Sequence, residues 1–213
     1  MDGNRRWAES RGLKEVEGHR KGMETLVSTV EEAVKLGIKN VTVYALSSEN
    51  LKERSKGEIK DLLILIKAGY REYLPRLKKE GIGVNFIGNI EKLPRTTKLL
   101  IRKVEVALAN GKRGKINIAL NYGGREEIIR ASESLSKRRI TEGEFVDSLY
   151  TKGIPDPDLL IRTGGRKRLS NFLLWQLSYT ELYFTDTLWP DFDKEELKKA
   201  IKFFADTKRN FGF

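Results

Sequence analysis

Apolar side chains recur every three or four residues along several stretches of the chain, which is the spacing of a helix with one buried face. Between these stretches lie short runs rich in branched and aromatic residues, which are typical of strands. The predicted helices cover residues 19–36, 57–79 and 96–109 and a segment that begins near Arg125, and the predicted strands cover 41–46, 84–87, 116–122 and 158–162. This alternation favours an α/β fold with a parallel sheet and helices on both faces.

Helix ends are marked by short local signals. Thr141-x-x-Glu144 and Asp193-x-x-Glu196 are capping boxes, which predict two further helix starts. No linker or abrupt change of composition divides the chain, so we interpret residues 1–213 as a single domain.

The charge indicates an anionic partner. The chain carries 41 Lys and Arg against 30 Asp and Glu, a formal net charge of +11. A nucleic acid, a lipid headgroup surface and a phosphorylated small molecule all fit this charge. We find neither basic residues interleaved with exposed aromatics nor a known reader motif, so no nucleic-acid partner is predicted. Because no apolar run is long enough to span a bilayer, we expect a cytoplasmic protein that contacts a membrane at most peripherally.

The absence of cysteine limits the chemistry of any metal site. With no Cys, disulfides and thiolate ligands are excluded. A metal would therefore be held by oxygen ligands or by His19, the one histidine of the chain. His19 could donate to a phosphate or cap the helix that follows it, and a lone histidine is more often structural.

Four segments follow directly after predicted strands, where ligands bind on parallel sheets. All are rich in glycine, hydroxyl, amide or arginine groups, which bind phosphate. They are residues 47–50, 88–89, 121–125 and 162–165.

Residues 1–7 form a further candidate phosphate site. Gly3 and Asn4 allow a close backbone approach, and Arg6 can bind phosphate oxygens with two donors. Asp2 is an acid among bases, which indicates a divalent cation such as Mg²⁺ between carboxylate and diphosphate. The alternative is a solvated terminus with an Asx-type turn.

Arg162-Thr163-Gly164-Gly165 and the following residues 166–170 combine basic side chains with free backbone N–H groups, and suit a diphosphate. A basic surface loop is the alternative.

Glu181 lies in an apolar and aromatic run, so a buried carboxylate there needs a metal or an arginine.

The order of these motifs resembles the cis-prenyltransferases, the family of undecaprenyl and dehydrodolichyl diphosphate synthases. The matching segments are residues 1–8, 18–19, 47–50, 121–125, 162–165, 168–176 and 181–192, among which Leu169-Ser170-Asn171-Phe172-Leu173-Leu174-Trp175-Gln176 and Leu188-Trp189-Pro190-Asp191-Phe192 are specific. The family fold implied is one α/β domain around a mainly parallel sheet, with a hydrophobic tunnel for the growing chain. Its walls would include the apolar faces of 19–36 and 57–79, although ordinary core packing explains those faces equally.

The resemblance implies a reaction and its participants. The enzyme would condense isopentenyl diphosphate onto an allylic primer, farnesyl or geranylgeranyl diphosphate, to give a long-chain polyprenyl diphosphate that serves as a precursor of a glycosyl carrier lipid. Mg²⁺ would be the cofactor, a homodimer the assembly, and a membrane contact would aid product release.

The resemblance also implies roles for individual residues of this chain. Asp2 and Asn50 match catalytic residues, the latter helping to remove a proton, and Asp2 and Glu181 match acidic residues associated with the metal. The family places that glutamate near a dimer interface. The substrate-binding positions are Gly3, Asn4, Arg5, Arg6, Trp7, His19, Ser47, Ser48, Glu49, Arg54, Arg162, Arg168, Leu169 and Ser170.

Several positions depart from the family pattern. Glu15 stands where an arginine often contacts the primer diphosphate, Leu51 replaces a tryptophan and Arg166 replaces a glutamate. The tail Asn210-Phe211-Gly212 only approximates an Arg-x-Gly ending, and the family strand that precedes Met1 is absent from this sequence. Some relatives have lost the catalytic residues and act as partners of an active subunit, but the catalytic positions are all filled here.

Overall fold

The computed structural model describes residues 1–53, 56–135 and 139–208. Its helices are α1 (Asn4–Glu9), α2 (Glu15–Lys35), α3 (Ser48–Glu53), α4 (Lys56–Lys79), α5 (Arg95–Leu108), α6 (Gly124–Ser134), α7 (Glu142–Ser148) and α8 (Lys194–Asp206), with 3-10 turns at Ile90–Lys92 and Trp189–Asp191. Its strands are β1 (Asn40–Ser47), β2 (Ile82–Ile87), β3 (Gly114–Tyr122), β4 (Leu159–Arg162) and β5 (Glu181–Phe184).

Every strand pairing in the described residues is parallel, which confirms the predicted sheet type. The hydrogen-bonded strands form two groups, a three-stranded sheet in the order β1-β3-β2 and the pair β4-β5. Strand β3 lies between two neighbours and is almost continuously buried, as expected of a strand covered on both faces. The architecture is a single α/β domain with helices flanking parallel strands.

The core lies between the three-stranded sheet and the long helices. Val27, Val30 and Val34 of α2 pack in one buried cluster with Tyr73 and Leu77 of α4 and with all three strands of that sheet. The predicted apolar face of α2 is thus confirmed as a packing face. Much of the corresponding face of α4 lies outside the described side chains, so a tunnel between these helices stays a prediction.

Local signals explain most element boundaries. Helix α2 begins at Glu15 rather than at His19, because its first turn carries acidic residues that suit a helix N-terminus but no apolar periodicity. Thr141 and Glu144 form the predicted reciprocal capping box.

The second predicted capping box is only half correct. The Asp193 carboxylate accepts from the backbone N–H groups of Glu195 and Glu196, as a cap should. The Glu196 carboxylate instead accepts from the hydroxyls of Thr185 and Thr187 and from Lys199 Nζ. It therefore does not accept from the backbone N–H of Asp193, as a complete capping box requires.

Candidate active site

The first residues are hydrogen-bonded to the carboxyl end of β4. The backbone N–H of Asp2 donates to Thr163 Oγ1 at 2.9 Å, and the Thr163 hydroxyl donates to the Asp2 carbonyl at 2.9 Å. The Trp189 N–H donates to the same carbonyl at 3.0 Å. Because its backbone is held on both sides, Asp2 has a fixed position, which contradicts the alternative of a solvated terminus.

The Asp2 carboxylate lies between two arginines. Its Oδ2 is 3.1 Å from Arg162 Nη2, and its Oδ1 is 3.2 Å from Arg6 Nη2. Burial alone would raise the pKa of Asp2, but the Arg162 and Arg6 guanidinium groups hold the pKa of this carboxyl below its usual range. Asp2 is therefore an ionised carboxylate at neutral pH.

Arg162 connects Asp2 to the loop that follows residue 167. Its Nη1 donates to Ser170 Oγ at 2.8 Å and also to the Arg168 carbonyl. Its Nε is buried and has no hydrogen-bond partner among the described residues. The predicted group of Arg162, Arg168 and Ser170 is thus brought together at the end of β4, next to Asp2.

The Gly164–Gly165 turn allows this close approach. Gly164 has a φ of +80°, and a Cβ there would lie 2.6 Å from Arg6 Nη2 and 3.0 Å from the Asp2 carbonyl oxygen. Only glycine provides both the left-handed backbone and the space. The turn is therefore part of the site rather than a surface loop.

Arg5 of α1 and Glu15 and His19 of α2 form a second polar group. Arg5 Nε lies 2.7 Å from Glu15 Oε2, and His19 Nε2 lies 3.1 Å from Glu15 Oε1. Glu15 thus offsets positive charge beside Arg5. Helix α1 packs tightly here, since a Cβ on Gly18 would lie 2.2 Å from the Asn4 carbonyl oxygen.

Helix α3 brings Asn50 to the same region from the end of β1. Ser47 Oγ accepts from the Asn50 N–H at 2.9 Å and so orders the start of the helix. Asn50 is exposed. Ser48 is buried, and its hydroxyl donates to Glu49 Oε2 at 3.2 Å.

These groups border one cavity of about 1410 Å³. The predicted site residues that line it are Asp2, Gly3, Asn4, Arg5, Arg6, His19, Ser47, Glu49, Asn50, Arg162, Arg168, Leu169 and Ser170. Its lining also includes the consecutive residues 37–45 and 155–162, which contain most of β1 and all of β4. Because consecutive strand residues line the cavity, the edge of a strand with its backbone N–H and C=O groups faces this part of it. Backbone groups at a strand edge need hydrogen-bond partners, which another strand can supply and a hydrocarbon cannot. We therefore do not assign this part of the cavity to a prenyl chain.

Some predicted site residues lie elsewhere. The Trp7 indole N–H donates to Asp191 Oδ1 at 2.7 Å, and neither Trp7 nor Ser48 lines the cavity. Glu181 begins β5, whose far end, Phe184, pairs with Arg162. Three residues of strand span about 10 Å, so Glu181 and Arg162 lie at opposite ends of the β4-β5 pair. Arg54 and the tail residues 210–212 lie outside the described residues.

The segment after β2 also has a structural use. Asn89 donates its backbone N–H to the Asn121 carbonyl and its side-chain amide to Glu126, and Asn121 Nδ2 donates back to the Asn89 carbonyl. This local network links β2 to β3. Asn89 does not line the cavity.

Two residues of the site, Thr163 and Asn171, had no role in the sequence interpretation. Both lie inside the quoted motifs, next to Arg162 and Ser170, which was the available signal. Thr163 holds the backbone of Asp2, and Asn171 Nδ2 donates to Glu49 Oε1 at 2.6 Å. Their partners are distant in sequence, so spacing alone could not indicate them.

The described residues contain no group of three or more His, Asp or Glu side chains that could hold a metal by themselves. A magnesium ion bound to a diphosphate needs fewer protein ligands, because phosphate oxygens and water complete its coordination. The partly exposed Asp2 carboxylate beside two arginines fits such a site.

Within the described part of the chain, no helix is long and apolar enough to cross a bilayer.

Comparison with known proteins identifies the family. Residues 1–212 match the Prenyltransf family model, described as undecaprenyl diphosphate synthase. An isoprenyl transferase from Aquifex pyrophilus is 46% identical over 215 residues, which cover 100% of this chain and 93% of that protein.

Two solved structures share the fold. The lavandulyl diphosphate synthase of Lavandula x intermedia, in complex with dimethylallyl diphosphate, has a TM-score of 0.94 and 36% identity, covering 100% of this chain and 95% of that one. A probable undecaprenyl diphosphate synthase from Campylobacter jejuni has a TM-score of 0.82 and 35% identity, covering 91% and 92%. The family model matches almost the whole chain and the solved relatives share its fold, so the chain belongs to the undecaprenyl diphosphate synthase family of isoprenyl transferases.

Proposed function

We propose that the protein condenses isopentenyl diphosphate onto an allylic diphosphate primer, farnesyl or geranylgeranyl diphosphate. The product would be a long-chain polyprenyl diphosphate with new cis double bonds, a precursor of a glycosyl carrier lipid. The observation that carries this proposal is the Asp2 carboxylate held between Arg6 and Arg162 at the carboxyl ends of the strands. Two diphosphates need cations on both sides of one reaction centre, and this arrangement supplies them.

The residues divide into two groups. Gly3, Asn4, Arg5, Arg6 and His19 surround the space near α1 and α2 and would bind the primer diphosphate. Arg162, Arg168 and Ser170 would bind isopentenyl diphosphate. When the allylic C–O bond breaks, negative charge grows on the leaving diphosphate, and fixed guanidinium groups stabilise that charge without reorganising. The alkene of isopentenyl diphosphate then attacks the allylic carbon to form the new C–C bond. The proton that is lost would pass to a diphosphate oxygen, and Asn50 would help to orient this transfer.

Mg²⁺ is the proposed cofactor, with Asp2 as its protein ligand. When bound, it supplies Lewis-acid neutralisation of the leaving diphosphate. Since Asp2 is already ionised by its arginine neighbours, it can accept a cation at neutral pH without first losing a proton. Binding of a diphosphate would compete with Asp2 for Arg6 and Arg162.

We propose a homodimer with Glu181 near its interface. In its own chain Glu181 lies at the far end of the β4-β5 pair from Arg162, which contacts Asp2. A role near a dimer interface therefore fits Glu181 better than a metal shared with Asp2 of the same chain. We also propose a cytoplasmic location and a peripheral membrane contact for product release.

The deciding experiment is an elongation assay. Labelled isopentenyl diphosphate, Mg²⁺ and either primer should give longer lipids, which chromatography against length standards identifies. Solved relatives are named for both undecaprenyl and lavandulyl diphosphate, so this assay also decides product length. Reactions without primer serve as the control. Failure to elongate any allylic primer would sink the proposal and favour a non-catalytic subunit.

Gly164→Ala should lower turnover because the new methyl group would meet Arg6 and the Asp2 backbone. A displacement of about 1 Å at a reaction centre can cost roughly a hundredfold in rate, and we expect a loss of about tenfold to a hundredfold in kcat/KM. Gly153→Ala is the matched control, since Gly153 also has a left-handed φ of +74° but nothing within 4 Å of its added Cβ. Equal losses in the two variants would show that backbone strain, and not the contact with Asp2, is responsible.

A further inference from the structure

A contact between Asn171 and Glu49 joins the two halves of the site. Asn171 Nδ2 donates to Glu49 Oε1 at 2.6 Å, and the other carboxylate oxygen accepts from Ser48 Oγ at 3.2 Å. Glu49 belongs to α3, which follows β1 and carries Asn50. Asn171 belongs to the loop after β4, next to Ser170. We name this contact the Asn171–Glu49 tie.

The position of this tie gives it a mechanical role. Glu49 lies just after β1 and Asn171 lies in the loop after β4, and both residues line the cavity of the site. The carboxyl ends of these two strands carry the two groups that must meet during condensation, namely Asn50 on one side and Arg162 with Ser170 on the other. The tie directly links the segments that carry these two groups.

The loop side of the tie is rigid and strained. Ser170, Asn171 and Leu173 have φ values of 51°, 64° and 44°, which side-chain-bearing residues rarely adopt. Asn171 is further fixed because its Oδ1 accepts from the Arg125 N–H at 2.9 Å and its carbonyl accepts from the Gly124 N–H at 2.8 Å. Such strain persists only where surrounding contacts over-determine it. The loop can therefore hold α3 in one position through the hydrogen bond between Asn171 and Glu49.

The carboxylate side of the tie is exposed and has no arginine or lysine contact among those described. A free carboxylate in this position would repel a diphosphate, so direct substrate binding by Glu49 is unfavourable. Its hydrogen bonds to Asn171 and Ser48 instead turn both oxygens toward protein donors. This geometry suits a residue that positions its neighbours.

We propose that Asn171 and Glu49 are positioning residues that hold Asn50 of α3 against the isopentenyl diphosphate half of the site. This proposal rests on the proposed function for its catalytic consequence, but the tie itself can be tested separately. Without the tie, α3 would move relative to Ser170, and proton removal would slow while the primer group at Arg5, Arg6 and His19 stays intact.

The test uses an exchange of donor and acceptor. Asn171→Asp keeps the acceptor for the Arg125 N–H and tolerates the left-handed backbone, but it sets a carboxylate against Glu49. Combining it with Glu49→Gln restores a hydrogen bond in the opposite direction. Contacting pairs couple strongly, so we expect Asn171→Asp to lower kcat about tenfold or more, with the KM for primer changed less than about twofold, and the double variant to recover most of the loss.

A second readout does not depend on catalysis. Amide hydrogen exchange of residues 48–51 should quicken in Asn171→Asp and slow again in the double variant. Asn110→Asp is the matched control, because Asn110 is exposed in the turn after α5 and should change neither readout. Glu49→Ala, an exposed truncation on α3, tests the same contact should Asn171→Asp fold poorly, and it should quicken exchange and lower kcat to a similar degree.

The outcomes separate the two proposals. If the wild-type protein elongates no primer, the proposed function fails, while the exchange measurement still reports on the tie. If the wild type is active but Asn171→Asp and Glu49→Ala leave kcat and exchange unchanged, the tie has no positioning role. A loss that the double variant does not recover would also overturn it.

Discussion

Asp2→Asn is expected to lower kcat by roughly a thousandfold or more, because the removal of one preorganised charged group at a reaction centre costs about a hundredfold to a thousandfold and Asp2 is also the proposed metal ligand. Asparagine preserves the shape of the side chain and the backbone bonds to Thr163 and Trp189. The variant should therefore fold normally. What it loses is the negative charge between Arg6 and Arg162.

The same variant should bind a diphosphate in the absence of Mg²⁺ at least as well as the wild type. In the wild type the Asp2 carboxylate occupies the two arginines that a diphosphate needs, and an amide competes less for them. Calorimetry with inorganic pyrophosphate, alongside the elongation assay, separates binding from turnover. Asp147→Asn, an exposed change on α7, is the control for loss of one acidic charge.

Two results would contradict the role of Asp2. Retention of more than about a tenth of wild-type turnover would show that Asp2 is not essential for ionisation of the primer. Much weaker pyrophosphate binding without Mg²⁺ would show that Asp2 organises the arginines rather than competing for them. In either case the assignment of the metal to this carboxylate would have to be changed.

The long helices were predictable because each repeats an apolar face over several turns. Helices α2, α4 and α5 lie close to the predicted ranges, and β1 to β4 follow the predicted strands. Strand β5 and helices α1 and α3 were not predicted. Each of the two helices has six residues, which is too short to show an apolar period. The strand order β1-β3-β2 was also not predicted, because pairing depends on contacts between distant residues.

For the candidate site, the motifs rather than the spacing of residues indicated which segments come together. Asp2, Arg6 and Arg162 belong to three quoted segments that the strands bring to one place. Trp7 and Ser48 belong to the same segments but bind Asp191 and Glu49 instead of facing the cavity. A motif thus indicates which segments meet. It does not indicate which side chain of each segment points inward.

A buried carboxylate behind the site gives the largest expected effect on stability. Glu127 of α6 is fully buried. Its carboxylate accepts from Tyr122 Oη at 2.5 Å, from the Tyr150 N–H at 2.8 Å and from Gln176 Nε2 at 3.0 Å. Burial and the nearby Glu127 charge raise the pKa of Tyr122, so the phenol keeps its proton and donates it. One side chain thus joins the end of β3, α6 and the segments around residues 150 and 176.

Glu127→Ala should lower the free energy of unfolding by about 3 kcal/mol or more, since a buried N–H and two buried side-chain donors lose a shared acceptor. Urea denaturation measures this change, and Glu133→Ala, exposed on the same helix, should cost less than about 0.5 kcal/mol. Tyr122→Phe removes only one donor and should cost about 1–2 kcal/mol.

The size of the Glu127 effect also bears on catalysis, because α6 begins at Gly124, whose N–H donates to the Asn171 carbonyl. If the network holds α6 in place, Glu127→Ala should lower turnover even at temperatures where the variant is folded, whereas Glu133→Ala should not. A loss of less than about 1 kcal/mol would mean that water or repacking replaces the carboxylate. In that case α6 would be held by its apolar contacts, and the network would have no part in positioning Asn171.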